Sequence, residues 1–314
     1  MYNGNIAVVD KSLFLPFFNE NDCTQWCKVY NDGGHYIAQP IIKSNRKNKP
    51  RDNSRGAMDM AFSDIYSSAR RENLKGNALI DYIVEKLGAL FDYPNLNEYV
   101  VKRIDKEIRN VYKRKKRFRR KAYLNKWNYF VTFTYDDKKQ SEDSFRKKLR
   151  KCLSNLHTRR GWLYMGVFER APETNRLHFH GIFYIPDGQM LGELKTKRDY
   201  STAQGKVQTI VENNFFEDTF GRNDFKELNE MELKYGKSID YLLKYIDKTD
   251  ERIVYSRGIK SEIYVKVKEN DIVTEMQDFV VKYILFDDVI SWERDVMRFK
   301  YRQMNMFAYL CNSQ

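Results

Sequence analysis

The chain has 314 residues, 42% of them hydrophobic, with 22 Tyr and 20 Phe, which is enough to bury a substantial core and excludes a disordered polymer. Lys and Arg exceed Asp and Glu by 13, an imbalance that points to a polyanionic partner, with nucleic acid favoured over an anionic membrane surface. There is no continuous apolar run of membrane-spanning length and no signal-peptide pattern near the start, so no membrane partner is expected and the setting expected is cytoplasmic, in a bacterial host.

The four cysteines, Cys23, Cys27, Cys152 and Cys311, are too scattered for a disulfide framework and suit a reducing compartment. Cys23, Cys27 and His35 offer three potential zinc ligands, but no fourth accompanies them. The segment 43–56, KSNRKNKPRDNSRG, has almost nothing to bury and reads as a mobile basic loop. From about 58 to 112 the apolar spacing turns helical, and KRKKRFRRK follows at 113–121. In that run Lys113, Arg114, Lys115, Lys116, Arg117, Arg119, Arg120 and Lys121 are candidates for phosphate contact, and a solvated helix face is the plainer alternative. Residues 1–125 therefore form a mainly helical, basic N-terminal segment of open role.

Past residue 125 the texture changes. NYFVTFTYD (128–136) alternates as a strand does, EDSFRKKLRKCLSNLH (142–157) reads as a basic helix, and WLYMGVFE (162–169) and RLHFHGIFYI (176–185) read as two strands joined by RAPETN. A helix around SIDYLLKYIDK (238–248) and short strands at IVYSRG and EIYVKV complete the pattern, with 271–314 as a C-terminal extension. This order predicts an α+β fold with a central antiparallel sheet flanked by helices, in a unit spanning 126–270.

Two of the four histidines, His178 and His180, stand one residue apart on the strand and share a face, while Leu177, Phe179, Phe183 and Ile185 fill the other. In a hairpin Glu169 lies opposite Arg176 or His178, on the histidine face in either register. Two imidazoles and a carboxylate suit a divalent ion with open positions. Equally open at this point is a pair of solvent-exposed histidines, with Glu169 paired to Arg176. On the later helix Ile239, Leu242, Leu243 and Ile246 make an apolar stripe, and Tyr241 and Tyr245 fall four apart on the side away from it, beside Lys244 and Lys248. Paired phenols near lysines suit nucleophilic attack on a phosphodiester, the nearby charges favouring the phenolate.

Together these motifs resemble the HUH endonucleases, above all the rolling-circle replication initiators of single-stranded DNA phages and related plasmids. FVTFTYD resembles their first motif, a structural strand. HFH resembles the second, which implies His178 and His180 as ligands of Mg²⁺ or Mn²⁺, with Glu169 where many members place an acidic third ligand. Tyr241-Leu-Leu-Lys244-Tyr245 resembles the two-tyrosine third motif, implying Tyr241 and Tyr245 as nucleophiles and Lys244 as a helper at the phosphate. The resemblance covers about 126–267 and implies an RRM-like, five-stranded antiparallel sheet. It implies nicking and rejoining of single-stranded or unpaired origin DNA through a 5′-phosphotyrosine, with Arg176 and Lys248 among the DNA contacts. YGKSID is not a Walker A loop, because Met231 stands where that motif needs Gly, so no nucleotide cofactor is expected and unwinding and synthesis would fall to host helicase and polymerase. A transposase or relaxase of the same superfamily fits less well, having one tyrosine or three clustered histidines. A non-enzymatic nucleic-acid-binding protein on an RRM-like sheet, or a basic capsid-associated protein, are the readings outside enzymology.

Overall fold

The structure is a computed structural model, and it describes residues 24–41, 56–171, 175–201, 205–229, 232–233, 237–248, 253–277, 281–293 and 296–300. The expected loop at 43–56 falls almost wholly outside these residues, as do Cys23, Cys311 and the tip of the RAPETN turn.

In chain order, β1 (Thr24–Asn31) and β2 (Tyr36–Pro40) open the described chain, followed by helices α1 (Ala57–Arg71), α2 (Gly76–Gly88) and α3 (Leu96–Tyr123). Then come β3 (Tyr129–Thr134), α4 (Glu142–Arg160), β4 (Leu163–Arg170), β5 (Leu177–Tyr184), β6 (Leu194–Ser201) and β7 (Lys206–Asn213). The remainder is α5 (Asn214–Phe220), β8 (Asn223–Glu227), α6 (Lys237–Lys248), β9 (Val254–Tyr255), β10 (Ile263–Lys268), β11 (Ile272–Gln277), β12 (Val281–Leu285), β13 (Ile290–Glu293) and β14 (Val296–Phe299). The fold is α+β, as the sequence predicts, and its central sheet is antiparallel and five-stranded in the order β8-β3-β5-β4-β9.

The local reasons are legible. Ser141 caps α4 by accepting from the Ser144 N–H, Glu142 and Asp143 sit in the positive first turn, and Gly161, at φ 69°, ends the helix. Phe145, Leu149, Leu153 and Leu156 recur at helical spacing on one side and pack, with α5, on one face of the central sheet. That face carries Phe133, Phe168, Leu177, Phe179, Phe183 and Phe225. Gly166 and Gly181 pair across β4 and β5, and a Cβ on Gly166 would lie 2.3 Å from the His180 carbonyl and 2.6 Å from the Phe179 ring. Glycine is required there because the phenylalanine ring occupies the missing side chain's place.

The opposite face is not open. The last turns of α3 and the apolar stripe of α6 cover much of it, joining Phe118, Ala122, Ile239, Leu242 and Ile246 to Val167 and Ile182 in a second core. At 28 residues α3 is about 42 Å long. Its first half packs with α1 and α2 around Phe62, Ile83, Leu87 and Val100, and its last turn joins the central sheet.

A second five-stranded antiparallel sheet, order β10-β1-β2-β12-β11, is built from both ends of the chain. The EIYVKV strand, expected within the 126–270 unit, pairs here with β1, Trp26 opposite Lys266. Cys27, Val29, Ala38, Val267, Tyr283 and Leu285 alternate onto its inner face, over Leu124, Val289 and the β13–β14 hairpin. Cys27 is fully buried, with burial pushing its thiol pKa up to about 12, and His35 stands on an exposed turn 3.5 Å from Asp287, so these two zinc candidates serve packing and surface pairing. No helix among the described residues is long and apolar enough to cross a membrane.

Candidate active site

β3, β5 and β4 lie side by side, and their registers decide which side chains meet. Thr132 is opposite His180, Thr134 is opposite His178, and Glu169 is opposite His178 on the other side. The two imidazoles share a face, with ring centroids 5.9 Å apart and planes within 17° of parallel. Each is held from behind by a threonine: Thr134 Oγ1 is 2.8 Å from His178 Nδ1, and Thr132 Oγ1 is 3.0 Å from His180 Nδ1. Both Nε2 atoms are thereby directed away from β3. These threonines are the residues that sequence reasoning missed. The signal was present in FVTFTYD, where the two hydroxyls recur at the two-residue period that places them on one face.

Glu169 and His180 are each 8% exposed, and the carboxylate lies 3.0 Å from His180 Nε2. The alternative pairing of Glu169 with Arg176 does not form; Arg176 lies 3.5 Å from Asp137 instead. Burial, the neighbouring His180 and the cations Arg176 and Arg222 hold His178 down at a pKa of about 4, against the opposing pull of Glu169. His178 is therefore neutral across the physiological range. Among the described residues no group of three His, Cys, Asp or Glu side chains is disposed to hold a metal ion, Glu169 being turned onto the Nε2 of His180.

Helix α6 crosses this face and brings its tyrosines to the histidines. The His180 ring lies 5.6 Å from the Tyr245 ring, nearly parallel to it, and 5.6 Å from the Tyr241 ring, nearly perpendicular. The two tyrosine rings are 4.8 Å apart, and Phe130 of β3 packs edgewise on Tyr241. The expectation that both tyrosines avoid the packed side of the helix holds for one of them. Tyr241 is 42% exposed, whereas Tyr245 is 7% exposed and belongs to the second core. The helix lies close enough to the sheet that the flank of its apolar stripe is buried along with the stripe itself.

The phenols also differ electrostatically. Burial raises the Tyr241 pKa, a hydrogen bond from Tyr245 works against that rise, and the charge of Glu169 adds to it. For Tyr245 burial, the bond to Tyr241, and the charge and hydrogen bond of Glu169 all favour the protonated phenol, which is held far above its ordinary value. Lysine charge was expected to lower these pKa values, yet both phenols stand above the ordinary range, because desolvation outweighs nearby cations. Lys244 is exposed on α6, and the side chain of Lys248 lies outside the described residues.

The cationic run on α3 divides into two groups. Arg120 bonds Asp32 through Nε at 2.7 Å and lies 3.4 Å over the Tyr30 ring, and Lys121 donates to the Ile259 carbonyl at 2.6 Å. Lys116 stands 3.9 Å from Asp32, while Arg114 and Lys115 are half-buried. Lys113, Arg117 and Arg119 are exposed. Arg119 reaches Asp240 at 3.5 Å, one residue before Tyr241, so the exposed cations lead to the helix that carries the tyrosines.

Residues 128–250 match a family model described as replication-associated protein, of the ORF2 and gene 2 protein type. The matched span begins just before β3, ends just after α6, and includes every side chain of the histidine–tyrosine cluster. It leaves out the helical N-terminal part and all of the second sheet. No curated protein and no solved structure gives a significant match. The match supports a role in DNA replication, and DNA is the partner that such a role and the net charge of +13 both imply.

Proposed function

We propose that this protein is a metal-dependent nickase and strand transferase that initiates rolling-circle replication on single-stranded or unpaired origin DNA. The observation that carries this reading is the convergence on His180: a second imidazole, a carboxylate and two tyrosine rings gather around one side chain from three separate elements. Such a set is costly to assemble for packing alone, since two of its members are buried and ionisable.

Tyr241 is the first nucleophile in this reading. It is the exposed phenol, and the hydrogen bond that Tyr245 donates to it favours its phenolate. Its proton leaves to solvent, its oxygen forms a bond to the scissile phosphorus, and the bond from phosphorus to the 3′-oxygen breaks, leaving a free 3′ end and a 5′-phosphotyrosine. Tyr245 takes the later transfer, after movement of α6 or of the DNA exposes it. Lys244 and Arg176 contact the phosphates on either side.

The donor set fits Mg²⁺ or Mn²⁺, with His178, His180 and Glu169 as the residues that would hold it. His180 has two states. With its Nε2–H donating to Glu169, its Nδ1 accepts from Thr132; with the proton on Nδ1 donating to Thr132, Nε2 is free to bind an ion. A bound divalent ion would supply charge neutralisation at the non-bridging phosphate oxygens. With no Walker A loop in the sequence, unwinding and synthesis are left to a host helicase and polymerase.

The test is incubation with single-stranded DNA of the cognate replicon and Mn²⁺, followed by a denaturing gel and peptide mapping. A covalent adduct prevented by EDTA and mapped to Tyr241 is expected. Tight binding without an adduct on any strand sinks the nickase reading in favour of a binding protein.

A further inference from the structure

The second sheet has two unlike faces. Its inner face is core, whereas the outer face of β1 and β10 is aromatic and cationic. Trp26 is 54% exposed and Tyr264 is 58% exposed, among the most exposed aromatic side chains of the described residues. The register places Trp26 opposite Lys266 and Lys28 opposite Tyr264, so the two aromatics are diagonal neighbours on one face, about 7–8 Å apart, with a lysine beside each. Lys266 reaches over the Trp26 ring at 6.0 Å. Glu262 accepts from the Tyr264 hydroxyl at 2.8 Å and lies 3.8 Å from Lys28, which fixes the phenol's edge while leaving its ring uncovered.

Two residues along β1 on the same face stands Tyr30, whose ring carries Arg120 of α3. The outer face is therefore continuous with the basic end of α3, whose Arg119 reaches the helix bearing the tyrosines. A row of exposed rings with interleaved cations, leading from a basic helix, has little to offer an aliphatic protein surface. It matches an unpaired polynucleotide, whose bases stack on aromatic faces and whose phosphates meet lysines.

We propose that the outer face of the second sheet is a docking platform for single-stranded DNA, with Trp26 and Tyr264 as stacking residues and Lys28 and Lys266 as phosphate contacts. It lies outside the span that matches the replication family, and it goes beyond the nicking chemistry without depending on it. In its role the platform holds a stretch of strand away from the histidine–tyrosine cluster.

The experiment is fluorescence anisotropy of the full chain with a labelled oligothymidine in EDTA, which reads binding apart from cleavage. Trp26→Ala and Tyr264→Ala should each weaken binding by about tenfold, the loss of one stacked base, and the double variant by more. Trp26→Phe and Tyr264→Phe, which keep a ring in each place, should retain most of the affinity. Both positions point outward, so thermal unfolding should be unchanged in all of them. The proposal is overturned if the double alanine variant binds oligothymidine like wild type. It is equally overturned if the phenylalanine variants lose as much as the alanine ones, or if duplex binding falls in parallel, since charge alone would then account for the effect. A change in sedimentation with DNA affinity intact would make the face a contact between copies of the chain and likewise overturn it. Should wild type form no adduct yet bind oligothymidine through these two rings, the nickase reading fails and the platform stands. Adduct formation with an affinity indifferent to both rings gives the reverse.

Discussion

Thr132→Val isolates what the threonines do for the histidines. Valine keeps the branched shape of the side chain and its fit on β3, but removes the hydroxyl that lies 3.0 Å from His180 Nδ1. His180 is 8% exposed, so water has little access to the nitrogen left behind. An unsatisfied buried polar atom costs about 1–3 kcal/mol. That cost bears hardest on the state in which Nδ1 carries the proton and Nε2 binds an ion, because the Nδ1–H then has nothing to donate to. Loss of such an orienting partner lowers metal affinity by about 10–100-fold, which is the same range expressed as an equilibrium. The assay is Mn²⁺ titration of adduct formation, alongside direct Mn²⁺ binding by electron paramagnetic resonance. The half-saturating Mn²⁺ concentration should rise by at least about tenfold in Thr132→Val and recover in Thr132→Ser, which restores the hydroxyl. Equal Mn²⁺ dependence in wild type, Val and Ser would refute the argument that β3 sets the imidazole orientation. Thr134→Val should act in the same direction through His178, and the double variant should not be additive, because both histidines serve one ion.

Tyr241→Phe should abolish the first covalent adduct while leaving DNA binding in place, whereas Tyr245→Phe should reduce strand rejoining more than nicking; peptide mapping of the adduct separates the two. Neutralising Lys113, Arg117 and Arg119 together should flatten the slope of log K against log salt for single-stranded DNA by about 2, at roughly 0.7 per phosphate contact. By contrast, Arg120→Ala should act on stability, since Arg120 holds Asp32 and Tyr30; a lower urea midpoint with an unchanged salt slope is expected. Gly166→Ala should destabilise the fold by about 3 kcal/mol, because the new methyl meets the backbone carbonyl of His180 rather than a side chain that can turn aside. Burial raises the pKa of Asp224, against the Val211 N–H that it accepts and the nearby Arg222 and Lys226. A carboxyl with a raised folded pKa contributes stability that is full below its unfolded value of 3.8 and is lost as pH rises through the folded value. Asp224→Asn should therefore gain stability relative to wild type toward neutral pH and lose that advantage in acid, as read by urea unfolding across the range.

By itself the sequence determined the local periods and, through them, most of the central sheet. The alternation in 128–136, 162–169 and 176–185 defined three of its five strands, because a side chain on a strand has only two directions in which to point. The same rule put His178 and His180 on one face and Glu169 beside them before any register was known, and the observed pairing of Glu169 with His178 is one of the two that rule allowed. Helical spacing likewise marked the stripe on α6 that meets the sheet.

What only the tertiary structure decided are relations between segments far apart in the chain. The second sheet joins β1 and β2 to β10, β11 and β12, and no local pattern encodes a partner more than two hundred residues away. Arg120 looks like its cationic neighbours in the sequence, but Asp32, 88 residues distant, makes it structural. Tyr241 and Tyr245 are equivalent on an isolated helix. The sheet beneath α6 makes them different, leaving one phenol in reach of solvent and closing the other over His180 and Glu169, because burial depends on what the helix lies against and a sequence period specifies only which side is buried first.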